Sequence, residues 1–127
     1  MLDYTGLCFL VTEDNPLCGE IIEEVLRMCH AKVIRAFSGE EAVAIIDREE
    51  DVFDAVLMDV QMPGMNGYEA TQAIRATRMG AHMPVFAMTA SIHERDRSRA
   101  MDAGMNDFLQ KPLDLPMFDC ALQRAYA

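Results

Sequence analysis

The chain has 127 residues, of which 51% are hydrophobic, and a formal net charge of −10. That length fits one domain burying roughly two thirds of its unfolded surface, and the composition excludes a disordered chain. The charge argues against binding a nucleic-acid backbone, which needs a basic footprint, and fits a solvated face, a cation site or a basic partner. No apolar stretch approaches the ~20 residues of a membrane span. Met1-Leu2-Asp3-Tyr4 lacks the basic start and long apolar core of a secretory signal, so a cytoplasmic domain without membrane contact is expected. Cys8, Cys18, Cys29 and Cys120 form no CxxC pair and read as small buried hydrophobes in a reducing compartment.

Strand and helix signals alternate along the chain. A first strand near 7–12 stops at Thr12-Glu13-Asp14. Asn15 caps and Pro16 opens a helix over 15–29, with an apolar stripe of Leu17, Ile21, Val25 and Cys29 and with Ile22 and Leu26 beside it. A strand near 31–36 leads to Ser38 and Glu41, which have capping-box spacing, and to a helix over 39–49 burying Ala42, Val43, Ile45 and Ile46. The apolar run near 54–59 ends on Asp59 and meets at once the turn Val60-Gln61-Met62-Pro63-Gly64-Met65-Asn66-Gly67. A helix over 65–79, a strand near 83–88 closed by Thr89-Ala90-Ser91, and a helix over 92–103 follow. The run His93 to Arg99 alternates in sign, as a solvated helix face does. After Ala103-Gly104 a strand near 106–110 stops at Lys111-Pro112, and a helix over 115–126 ends the pattern.

Five such units with short connections predict a single α/β domain over 1–127. Its five parallel strands would be doubly wound in the flavodoxin-like order 2-1-3-4-5 and covered by five helices. Ligands of such sheets sit just outside the carboxyl ends of the strands. Glu13, Asp14 and Asp59 would meet there, where like charges ~4 Å apart repel by about 1 kcal/mol in water and about 4 at an effective dielectric of 20. Lys111 supplies one compensating charge. A hard divalent cation supplies the rest, Mg2+ before Ca2+ because no oxygen-rich twelve-residue loop is present. The plainer alternative makes Glu13-Asp14-Asn15-Pro16 a capping segment and Lys111 a solvated side chain. Thr89 would add a hydroxyl for an anion, and the set points to phosphoryl chemistry. His30, His82 and His93 share no metal-ligand spacing and are placed away from the acids; Met28, Met58, Met88 and Met101 read as packing residues.

Four segments carry a resemblance. They are Val11-Thr12-Glu13-Asp14-Asn15, Leu57 to Gly67, Ala87-Met88-Thr89-Ala90, and Gly104 to Pro112. In this order and spacing the chain resembles, over essentially its whole length, the receiver domain of two-component response regulators. The resemblance implies that Asp59 accepts a phosphoryl group from a histidine kinase. It makes Asp14 and Asp59 direct Mg2+ ligands, with Mn2+ as a substitute, adds the carbonyl of Gln61, and lets Glu13 act through water. Lys111 would pair with a phosphoryl oxygen and precede a cis proline. Thr89 and Phe108 would be the switch pair, Phe108 turning inward as Thr89 moves to the phosphate, with readout on the face of the fourth helix, fifth strand and fifth helix.

Phe108 stands where tyrosine is commoner, and Thr12 where an apolar residue is. Gln61 and Ser91 flank the expected phosphate and are expected to set its lifetime. Met58 to Pro63 and Gly104 to Asp107 are worded like receivers of hybrid sensor histidine kinases. The implied setting is a phosphorelay, stand-alone or within a membrane-anchored hybrid kinase. Its partners would be a histidine kinase or histidine phosphotransfer protein, with a receiver–receiver dimer as a further association. No enzyme activity beyond self-phosphorylation and self-dephosphorylation is expected. Two alternatives compete: an unphosphorylated interaction domain of the same fold, and an aspartyl-nucleophile phosphatase. The phosphatase wants an acid two residues past the nucleophile, where Gln61 stands.

Overall fold

A computed structural model describes residues 2–90 and 93–127. Five parallel strands form one sheet: β1 (Cys8–Thr12), β2 (Lys32–Ala36), β3 (Ala55–Asp59), β4 (Val85–Thr89) and β5 (Asp107–Gln110), in the order β2-β1-β3-β4-β5. Between and after them run α1 (Pro16–Met28), α2 (Gly39–Asp47), α3 (Gly67–Arg75), α4 (Glu94–Asp102) and α5 (Leu115–Tyr126). This is the expected doubly wound architecture.

Each central strand is apolar on both sides because both faces are covered. Phe9, Val11, Leu57, Phe86 and Leu109 face α1 and α5, where Tyr4, Phe9, Phe86 and Phe118 meet edge to face at 5.4–5.9 Å. Leu10, Val56, Met58, Val85 and Phe108 face α2, α3 and α4. The caps are those read from the sequence: Asn15 accepts from the Cys18 amide at 3.0 Å and Ser38 from Glu41 at 3.0 Å. Glu41 reaches back to the Phe37 amide and not to that of Ser38. Asn66 and Glu69 form a full capping box that starts α3 at Gly67, two residues later than expected.

Three expectations need correction. Leu17 and Ile21 are not on the buried stripe of α1; they stand 67% and 51% exposed, while Gly19, Ile22, Leu26 and Cys29 face the sheet. The helix is turned toward its glycine because the Arg35 guanidinium occupies the space where a Gly19 side chain would be. Secondly, α3 ends at Arg75 and not near 79. The Thr77 hydroxyl donates to the Ile74 carbonyl at 2.7 Å and accepts from the Gly80 amide at 3.0 Å, a local bonding pattern that competes with helix. Thirdly, Cys18, Cys120, Met28 and Met101 are exposed, each on the outer side of its helix, while Cys8, Cys29, Met58 and Met88 are buried.

Candidate phosphoryl-acceptor site

The carboxyl edge of the sheet gathers the acids. β1 ends at Thr12, paired with Met58 of β3, and the Glu13 amide donates to the Ala36 carbonyl of β2 at 3.1 Å. The chain then turns so that Glu13 points inward, 1% exposed, and Asp14 stays half-buried beside it. Asp59 closes β3 opposite Met88 of β4 and is buried. Its Oδ1 accepts from the Gln61 amide at 3.1 Å, which begins the turn into α3. Gly67, first in α3, lies against the Asp59 carbonyl so closely that a side chain there would strike main chain. Carboxylate oxygens of Glu13, Asp14 and Asp59 lie within 4.8 Å of one another.

One cation faces them. Lys111 leaves β5 with its amide bonded to the Thr89 carbonyl, and its bond to Pro112 is cis, as the resemblance implied. Its Nζ stands 2.5 Å from Glu13 Oε1 and 3.2 Å from Asp59 Oδ2. Burial would lower the lysine, but Glu13 and Asp59 outweigh it and raise its pKa. Burial, and then the hydrogen bond and charge of Glu13, push the Asp59 carboxyl up to about 6. Glu13 goes the other way. Burial alone would raise it, but the shared hydrogen bond with Asp59 and the bonds from Lys111 and the Asn15 amide hold it below the usual carboxylate range. Three acids and one lysine leave a negative excess that suits a hard cation held by oxygens, so the donor set fits Mg2+.

Thr89, buried at the end of β4, and the exposed Gln61 line one cleft of about 640 Å³ with Asn66, Tyr68, His93 and Arg99. His93 therefore lies beside the site, closer than expected, because α4 starts at the rim of β4. Ser91 lies outside the described residues. Phe108 is 4% exposed and already packed under α4. An inward turn is not available to it from here; without a hydroxyl to hydrate, its ring gains by burial. Arg35 was not singled out from the sequence, yet its guanidinium donates to the Glu13 carbonyl at 2.9 Å. Its only sequence signal is an arginine within the otherwise apolar Val33-Ile34-Arg35-Ala36.

The response regulator receiver domain family matches residues 9–123. The chain is 38% identical over 107 residues to the sensor protein GacS of Pseudomonas syringae pv. syringae, a match covering 82% of this chain and 12% of that protein. It is 33% identical over 108 residues to hybrid signal transduction histidine kinase L of Dictyostelium discoideum, covering 82% of this chain and 6% of the relative. Among solved structures it is similar to the receiver domain of a sensor histidine kinase from Pseudomonas aeruginosa PAO1, with a magnesium ion coordinated in its active-site cleft. That match has a TM-score of 0.84 at 37% identity and covers 97% of this chain and all of the other. The chain belongs to the response regulator receiver domain family of two-component and phosphorelay systems, and it spans a small fraction of the sensor kinases it matches.

Proposed function

We propose that Asp59 is the phosphoryl acceptor of this receiver, loaded from the phosphohistidine of a histidine kinase or histidine phosphotransfer protein in a Mg2+-dependent reaction. The observation that carries the reading is the convergence of Glu13, Asp14, Asp59 and Lys111 from three strand ends on one buried carboxylate. An Asp59 oxygen attacks the phosphorus, the P–N bond breaks, and the electron pair leaves with the imidazole nitrogen, which takes up a proton. Asp14, Asp59 and the Gln61 carbonyl would hold Mg2+, with Glu13 acting through water; Mn2+ has the same ligand preference. The ion, when bound, would neutralise phosphoryl oxygens and favour the ionised form of Asp59 that attacks phosphorus. Lys111 shifts its hold from Asp59 to a phosphoryl oxygen, and the Thr89 hydroxyl donates to another.

The donor must cover the rim to bring phosphorus to Asp59. That rim is apolar on the α1 side, where Leu17 and Ile21 are exposed and a cavity of about 280 Å³ runs between Cys18, Ile22 and Pro112. A phosphohistidine-bearing helix with an apolar face fits it. The domain acts as acceptor and not as a catalyst on outside substrates, Gln61 offering no general acid for turnover. Its output runs through Thr89 to the α4-β5-α5 face, where a receiver–receiver dimer is one use of the surface. Because Phe108 is already inside, any change there is a movement of α4 over it. The test is incubation with Mg2+ and a small phosphodonor, read by intact mass. One phosphoryl group is expected on the parent and none on Asp59→Asn or with chelator. Labelling that survives in Asp59→Asn assigns the acceptor elsewhere.

A further inference from the structure

Arg35 is a charged side chain spent inside the fold. It leaves β2 on the α1 side of the sheet with its side chain only 10% exposed. One terminal nitrogen donates to the Glu13 carbonyl at 2.9 Å and the other to Glu23 Oε1 of α1 at 3.2 Å. The second oxygen of Glu23 is held by Arg27 at 3.0 Å. The guanidinium also lies 4.3 Å over the Phe37 ring. Its Nε is buried and has no hydrogen-bond partner among the described residues. Gly19, in the first half of α1, is what makes the seat: an added Cβ would overlap the guanidinium.

Both features cost stability. A glycine inside a helix is worse than alanine there, and an unpaired buried N–H loses its water. An apolar side chain at 35 with alanine at 19 would avoid both. What that pair could not do is hold the Glu13 carbonyl. The main chain at Glu13 is pinned from both ends of the residue by β2, its amide on the Ala36 carbonyl and its own carbonyl on Arg35. Glu13 then holds Lys111 and the Asn15 amide with its side chain, and Asp14 follows directly. Freedom of this loop is freedom of two of the three acids that meet at Asp59.

We infer that Arg35, seated in the gap at Gly19, is a positioning residue that fixes the Glu13–Asp14 loop and thereby sets the divalent-cation affinity of the acidic site. The inference rests on the reading of Glu13, Asp14 and Asp59 as a cation site. It is tested by calorimetric titration of the full chain with Mg2+ and with Mn2+, for the parent, Arg35→Met, Gly19→Ala and the double variant. The single variants are expected to bind about tenfold more weakly, about 1.4 kcal/mol. Gly19→Ala reaches that loss with the arginine in place, by unseating it, and with a better helix former in α1. The double variant is expected to be no weaker than either single one, since both remove one contact.

Hydrogen exchange on the metal-free chain supplies the second readout. The Asn15 amide, which bonds Glu13 Oε2 at 3.2 Å, is expected to exchange faster in both variants while the β3 amides keep the parent's rate. Affinities within about twofold of the parent, or losses that add in the double variant, overturn the inference. A parent that binds neither ion sinks the cation reading instead. The exchange arm then decides alone whether Arg35 holds the loop, an unchanged Asn15 rate overturning that too.

Discussion

Asp59 and Glu13 share a lysine, and the pair divides its charge unequally. The unfolded Asp59 carboxyl gives up its proton near its ordinary value of 3.8, the folded one near 6. Its contribution to stability is therefore fully present below 3.8 and is lost as pH rises through 6. Glu13, held below its ordinary value of 4.5, contributes above that value and loses the contribution as pH falls. Asp59→Asn removes the first contribution and leaves Glu13 still held by Lys111 and the Asn15 amide. With chelator present it is expected to stabilise the chain by roughly 1–3 kcal/mol near neutral pH and by little near pH 4. Urea unfolding at the two pH values reads this directly, and a gain that is largest in acid contradicts it. Thr12 gives a second residue-scale prediction. Its hydroxyl is buried and finds no partner among the described residues. Thr12→Val is expected to raise the urea midpoint at constant m by about 1 kcal/mol of stability. A loss would mean that the hydroxyl is satisfied.

At the scale of elements, one arginine does for the lower edge of the sheet what Arg35 does for the upper. Arg75, the last residue of α3, donates from Nε and one terminal nitrogen to the Gly104 carbonyl at 3.0 and 2.7 Å. It also bonds the carbonyls of Gly80 and Met83 and the side chain of Asn106, which itself accepts from the Val85 amide. The end of α3, the entry to β4 and the turn before β5 are thus tied to one guanidinium. Arg75→Met keeps the volume but leaves three carbonyls without that donor, at an expected cost of about 3 kcal/mol. Equilibrium unfolding in urea measures it; a cost below about 1 kcal/mol would show that water replaces the arginine at all three.

For the molecule as a whole, the net charge is −10, and the topology brings three of the acids, Glu13, Asp14 and Asp59, together at one edge. A parallel sheet places all its strand ends on the same side, so acids from β1 and β3 meet a lysine from β5 without any contact between their sequences. A cation that binds only the folded chain then stabilises it by mass action, about 2.7 kcal/mol at a hundred times its dissociation constant. Mg2+ is expected to raise the melting temperature of the parent and to do so much less in Asp59→Asn. An equal shift in both would place the ion away from Asp59. Among the described residues no helix is long and apolar enough to cross a membrane.

Alternation of apolar runs with turn residues was enough to read the five strands, the five helices and the acids at the strand ends, because those signals are local, while the strand order followed from the likeness to flavodoxin-like sheets. The phase of α1 was not legible. Leu17 and Ile21 look like core by spacing, and their exposure follows from Arg35, distant in sequence, filling the seat at Gly19. Nor was the early stop of α3, where a threonine hydroxyl and the demands of Arg75 outweigh helix propensity. Phe108 could be named from its place in a motif, but whether its ring lay in or out depended on the room beneath α4. Periodicity says which residues want burial; packing against side chains from other elements settles which of them get it.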